Sequence, residues 1–305
     1  MAISAAMVKE LREKTGAGMM DCKNALAEVD GNMDEAIELL RKKGVMKAEK
    51  KADRIAAEGL CDVIIEGNTA AVVEVNSETD FVAKNEEFKT FVSAVAKQAL
   101  KSDSADIDAF LAEKWNGDES KTVKEALTDK VAVIGENLTI RRFEKIVAAD
   151  DEVLVSYIHG GGRIAVLVKA KADDSDAIKE ALGNIAMQTA AMNPKFISEN
   201  EIDADYRKHE EEILRAQIEN DPKEASKPDK VKEGMIKGRI NKQMKEICLM
   251  DQVYVRAEDG KQSVAAYLKS VGDITINKLV RFETGEGIEK KEEDFAAEVA
   301  AQIAG

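Results

Sequence analysis

Cysteine, histidine and aromatic side chains are scarce in this chain, and each shortage closes off a class of function. Three cysteines, Cys22, Cys61 and Cys248, are spread over 305 residues, each on an apolar-looking face. An odd count without paired spacing argues against a disulfide framework and leaves buried free thiols as the expectation. With only His159 and His209 beside them, no cluster with zinc-ligand spacing can be assembled, so neither a metal site nor a cofactor is expected. Long apolar runs are missing too. Nothing approaches the roughly 20 residues needed to span a bilayer, and Lys9, Glu10, Arg12, Glu13 and Lys14 leave the first helix without a signal-peptide apolar region. A cytoplasmic protein with no membrane partner is expected.

What is abundant is charge. Charged residues make up 34% of the chain and the formal net charge is −14. That composition suits a soluble, helix-rich protein and disfavours direct nucleic-acid binding, which relies on clustered Lys and Arg. One stretch opposes the trend: Arg41 to Arg54 holds seven basic residues against two acidic ones. It reads as a solvated linker helix, and a patch for an acidic helix or RNA is the competing reading.

Apolar periodicity organises the rest. Residues 4–43 read as three short helices with faces at Ile3, Met7 and Leu11, at Cys22, Leu26 and Val29, and at Met33, Ala36, Ile37 and Leu40. Gly16 and Asp30-Gly31 separate them, with Asn32 and Glu35 spaced as a capping box. An internal duplication follows. Strands at 60–65 and 69–75 form a hairpin followed by a helix around 88–100; strands at 153–159 and 163–171 form another, followed by a helix over 177–192. Strands at 138–147 and 278–283 complete two sheets. Between them, Ile202, Tyr206, Ile213 and Ile218 face Val231, Met235, Ile240, Met244 and Ile247 as two arms of an antiparallel coiled coil. A last helix from about Glu292 carries Phe295, Val299 and Ile303 on one face.

The fold class that follows is α+β: an N-terminal three-helix module, a duplicated core of two small antiparallel sheets with helices on one side, an inserted antiparallel coiled-coil hairpin and a C-terminal helical module. The expected boundaries are 1–55 for the first module and its basic linker, 56–148 for the first half of the core, 149–200 with 249–283 for the second, 201–248 for the coiled coil and 284–305 for the last module.

Motifs that suggest catalysis are incomplete. His159-Gly160-Gly161-Gly162 is like the oxyanion loop of lipases, but no G-x-S-x-G elbow accompanies it, and the glycines read as a hairpin turn. Gly16-Ala17-Gly18 lacks the strand and third glycine of a dinucleotide loop. Abundant carboxylates include no pair set apart in an apolar environment. The chain offers surfaces without a reaction centre, so it is not expected to be an enzyme.

The surface that stands out is Thr79-Asp80-Phe81-Val82-Ala83-Lys84-Asn85, where a strand pattern gives way to a helix pattern. Phe81 lies seven residues before Phe88, which fits the first core position of that helix. A contact residue on the turn is the alternative. Asp80 likewise fits either a helix-start carboxylate or a contact.

Five separated stretches then add up to a family. Val8 to Lys23, Ala56 to Gly59, Glu74 to Asn85, Tyr157 to Ile164 and Arg281 to Lys290 together resemble bacterial elongation factor Ts from end to end. One departure is Ser77, where many members have cysteine. The resemblance implies a guanine-nucleotide exchange factor for elongation factor Tu, with a structural or chaperone-like Tu-binding protein without exchange activity as the alternative. It implies that Thr79, Asp80, Phe81 and Val82 form the region that dislodges the partner's Mg²⁺, with Phe81 wedged into an apolar crevice of its G domain. Leu11, Met19 and Met20, Lys84 and Asn85, and His159 are the further contacts so implied. A homodimer or a 2:2 complex with Tu stays open.

Overall fold

The computed structural model describes residues 3–289. The expected last helix, with Phe295, Val299 and Ile303, lies outside the described residues. At the other end, α1 (Ala5–Thr15), α2 (Met19–Glu28) and α3 (Met33–Glu49) form the expected three helices. Ser4 caps α1 by accepting from the Met7 amide, and Gly16, at φ +67°, ends it in the left-handed conformation that an L side chain resists. Asn32 accepts from the amides of Asp34 and Glu35 and donates to the Glu35 carboxylate. Val8, Leu11, Cys22, Ala25, Leu26 and Ala36 fill the small core between the three.

β1 (Glu58–Glu66) and β2 (Thr69–Ser77) make the first hairpin. The short α4 (Asp80–Ala83) and the long α5 (Glu86–Lys101) follow. The sequence reading passed over what comes next: α6 (Ile107–Ala112), the two-stranded β3 (Lys114–Trp115) and β4 (Asp118–Thr122), and α7 (Val123–Ile134). β5 (Leu138–Val147) then returns antiparallel to β2, giving the order β1-β2-β5.

The basic stretch 41–54 corrects one expectation. It is helical to Glu49 with most of its side chains solvated, but it is more than a linker, because α3 lies along α7. Gly44 is buried where it approaches Ala132, close enough that a Cβ would sit 3.2 Å from the alanine methyl. Arg41 pairs with Glu125, Lys43 with Glu28 and Lys47 with Asp21, and Lys51 donates to the Gly135 carbonyl. Such exposed pairs contribute little energy singly. They show where much of the positive charge goes: to carboxylates and a carbonyl of its own chain.

The second half repeats the plan. β6 (Glu152–His159) and β7 (Ile164–Lys171) form a hairpin, and α8 (Asp176–Met192) follows. Then α9 (Ala204–Asn220), the one-turn α10 (Pro222–Ala225) and α11 (Asp229–Ile247) build the arm. After α12 (Val264–Val271), β8 (Thr275–Glu283) completes the order β6-β7-β8. The arm's seam sits slightly off the expected stripe. Ile218, Ile240 and Met244 are buried as expected and Leu214 and Ile236 join them, whereas Ile213 and Val231 face solvent.

The two sheets pack against each other, which the sequence did not announce. Alternate residues of the central strands serve two cores. Ala71, Val73 and Val75 meet α5, and Val166, Val168 and Ala170 meet α8. Ala70, Val72, Ala165 and Leu167 meet in the middle with Cys61, Ile146, Val280 and Phe282. A strand covered on both faces reads as a continuous apolar run, and this is how β2 and β7 read. The layers therefore run helix, sheet, sheet, helix.

One charge is buried where the sheets meet. Glu74 is fully enclosed and accepts from Arg141 at 3.0 Å, Arg142 at 2.5 Å, Asn76 at 3.2 Å and the Gly285 amide at 2.8 Å. Gly285, at φ +72°, lies so close to the Ala57 carbonyl that any side chain there would collide with it. Arg142 also stacks over the Phe282 ring at 4.3 Å and donates to the Glu283 carbonyl. Three of the sequence stretches singled out above, around 56–59, 74–77 and 281–287, thus converge on one carboxylate.

Candidate functional site

The stretch from Thr79 to Asn85 folds into a small projecting corner with a fixed inside and outside. Thr79 is the N-cap of α4, and its hydroxyl accepts from the Val82 amide at 3.4 Å. Val82 turns inward onto the core shared with Phe88 and Val92. Phe81 turns outward and remains 80% exposed, more than any other large apolar residue described. Its spacing from Phe88 fits a continuous helix, but the helix is not continuous. Lys84 closes α4, and Asn85 opens α5 by accepting from the Glu87 amide at 2.7 Å, so the register between Phe81 and Phe88 is broken.

Asp80 sits beside the exposed ring. Lys84 reaches back to its carboxylate at 2.7 Å and lies 5.9 Å from the Phe81 ring centre. The hydrogen bond from Lys84 holds the Asp80 carboxyl below the usual carboxylate range. The corner therefore presents an aromatic ring flanked by an ionised carboxylate and an ammonium group that already has a partner.

The floor of the corner is polar and well connected. Buried Ser77 donates its hydroxyl to the Thr79 carbonyl at 3.0 Å. Thr79 gives its amide to one oxygen of Glu136 at 3.0 Å and its hydroxyl to the other at 2.6 Å. Next to it, the Asn137 amide donates to Glu78 at 2.6 Å, and the Asn137 side chain donates to the Arg54 carbonyl at 2.7 Å. Sequence reasoning missed Glu136 and Asn137. They lie 57 and 59 residues from their partners and carry no local pattern.

The remaining candidates lie on other elements. Met19 and Met20 are exposed at the start of α2, at 59% and 63%. Leu11, expected beside them, is fully enclosed in the core of the three helices. His159 is exposed at the end of β6, with its Nδ1 3.0 Å from the Tyr157 hydroxyl. The glycines after it form the expected turn with φ of +60°, +65° and +105°. Gly162 seats that turn on the first sheet by accepting from the Cys61 amide at 2.7 Å, directly over Leu60.

Among the described residues no group of three or more His, Cys, Asp or Glu is placed to hold a metal ion, and no helix is long and apolar enough to cross a membrane. Burial pushes the Cys61 thiol up to about 12 and the Cys248 thiol up to about 11, so neither is a nucleophile near neutral pH. All three cysteines are free and buried, as expected.

The family model described as "Elongation factor TS" matches residues 78–286. The chain belongs to that family. It is 53% identical over 309 residues to elongation factor Ts of Clostridioides difficile (strain 630), covering 99% of each chain. It is 50% identical over 307 residues to that of Clostridium novyi (strain NT), again with 99% of each covered. Against elongation factor Ts of Trichlorobacter lovleyi it is 48% identical over 311 residues, with 99% and 98% covered. Membership places the protein among translation elongation factors. The match begins at Glu78 and ends at Glu286, so it takes in the projecting corner and most of the turn that closes on Glu74.

Proposed function

We propose that this protein is a guanine-nucleotide exchange factor that binds elongation factor Tu carrying GDP, disturbs its Mg²⁺ and phosphate site, and so promotes GDP release. The observation that carries the reading is Phe81, a large ring held 80% exposed on a corner whose backbone is pinned from beneath. Leaving such a ring in water forgoes about 2 kcal/mol that a fitting apolar crevice would recover. Asp80 would bring an ionised carboxylate toward the side where the partner's phosphates and metal lie. Mg²⁺ neutralises much of the charge on the bridged phosphates, so displacing its ligands leaves GDP poorly held. Factor and nucleotide then weaken each other's binding by the same factor.

Within this reading Thr79 and Val82 fix the corner while Asp80 and Phe81 make the contact, with Lys84 and Asn85 at its edge. Leu11, Met19 and Met20 belong to a second apolar contact, and His159 with its glycine turn forms a third. The division into units 1–55, 56–148, 149–200 with 249–283, 201–248 and 284–305 belongs to the same proposal, as does a cytoplasmic setting. The arm offers a route to a homodimer or a 2:2 assembly with Tu.

The test is release of fluorescent GDP from Tu with the wild type and with Phe81→Ala. The wild type should accelerate release, and Phe81→Ala should lose about thirtyfold of that acceleration, the equivalent of about 2 kcal/mol. Raised Mg²⁺ should blunt the wild-type effect. If the wild type binds Tu without accelerating release, the protein is a Tu-binding protein of another kind.

A further inference from the structure

We infer that Glu136 is the positioning residue of the projecting corner: its carboxylate clasps Thr79 at two points and thereby sets the stance of Asp80 and Phe81. The inference rests on the exchange reading above for its functional half and on geometry alone for its structural half.

Glu136 stands in the loop between α7 and β5, half-buried. Both of its oxygens accept from one residue, one from the amide of Thr79 at 3.0 Å and the other from its hydroxyl at 2.6 Å. Thr79 in turn accepts from the Val82 amide at its hydroxyl oxygen and from the Ser77 hydroxyl at its carbonyl. A chain of hydrogen bonds thus runs from Glu136 through Thr79 into the first turn of α4, where Phe81 has almost no packing of its own to hold it. Two hydrogen bonds to one residue, from its amide and its hydroxyl, fix direction as a single bond does not, which is what an otherwise unsupported projecting turn requires.

The clasp is dispensable for joining the two segments that it bridges. Ser77 already pairs with Leu138 in the sheet, and Asn137 already donates to Glu78. Losing Glu136 should therefore leave β2 and β5 in place and loosen only the corner. The same loop also takes up Lys51 through the Gly135 carbonyl and Arg54 through Asn137, so the corner is referenced to the end of the N-terminal helices as well as to the sheet. A loosened corner has to be ordered again at the moment it inserts, a cost that appears in the rate at saturation more than in the affinity conferred by other surfaces.

The experiment compares the full-length wild type with Glu136→Ala and Glu136→Gln by backbone amide exchange of the free protein and by GDP release from Tu. Glu136→Ala should speed exchange at Thr79 and Val82 about tenfold or more while the amides of residues 72–75 stay protected. It should lower the maximal acceleration of GDP release by about tenfold and change the half-saturating concentration by less than about threefold. Glutamine can still accept from the amide and donate to the Thr79 hydroxyl, so Glu136→Gln should remain within about threefold of the wild type on both readouts.

Unchanged exchange at Thr79 and Val82 in Glu136→Ala would overturn the assignment, as would a loosened corner with full acceleration. A glutamine variant as impaired as the alanine one would overturn it too, because charge rather than the paired hydrogen bonds would then be at work. If the wild type itself fails to accelerate GDP release, the exchange reading falls, and amide exchange still decides the clasp.

Discussion

The two halves of the core share a hairpin, a third antiparallel strand and a covering helix, yet they treat the corner after the central strand differently. After β7 the chain passes through 172–175 and enters α8 directly, with Ser175 as its cap. After β2 it first makes α4, turns Phe81 into solvent and only then enters α5. The second half instead exposes its functional candidate at the hairpin turn, where His159 precedes three glycines in the left-handed region. One scaffold thus carries two kinds of projection. In the proposed reading, function lies in what departs from the shared plan, while the shared plan supplies rigidity.

The comparison can be broken most forcefully at the point where the halves join. Glu74→Ala would leave Arg141, Arg142 and the Gly285 amide without their common acceptor, and should cost about 3 kcal/mol in denaturant unfolding. A loss below about 0.5 kcal/mol would mean that the halves are held by their apolar interface alone. Next comes the contrast within the first half. Phe88→Ala empties a fully buried site and should also cost at least about 3 kcal/mol. Phe81→Ala, on the exposed side of the broken register, should change stability by less than about 0.5 kcal/mol.

A smaller effect distinguishes the second half. Glu152 accepts from the Ala149 amide, Asn277 and Lys169, and these hold its carboxyl down to about 2. Because the folded value lies below the ordinary one, its contribution is fully present above about pH 4.5 and is lost as pH falls toward 2. Glu152→Gln should therefore be less stable than the wild type at pH 7, and the two curves should converge near pH 2. Smallest of all is the response of Cys61, which lies between the sheets with its thiol pushed up to about 12. It should resist alkylation at pH 8 in the folded protein and react once the protein is denatured.

Much of this plan was legible in the sequence because it is written in local periods. The three short helices, both hairpins, the third strands and the paired arm follow from spacing and punctuation. What stayed hidden depends on partners distant along the chain. The packing of sheet on sheet is ambiguous in an apolar run, since β2 would read the same whatever covered its second face. Residues 102–137 lack a clean stripe because α6 and α7 bury only a few positions each, Phe110 stacking on Phe143 at 4.5 Å among them. Phe81 was misleading on spacing for a physical reason: the cap at Asn85 restarts the helix between two aromatics a heptad apart. Leu11 sits where its spacing with Ile3 and Met7 puts it, in the core of the three helices.

The central claim is that a rigid corner presents Phe81 to a partner. The most direct measurement is stopped-flow release of fluorescent GDP from Tu at saturating factor, comparing the wild type with Phe81→Ala, whose fold should be intact. The account predicts strong acceleration by the wild type and a loss of about thirtyfold in the variant. Equal acceleration by both proteins would contradict it.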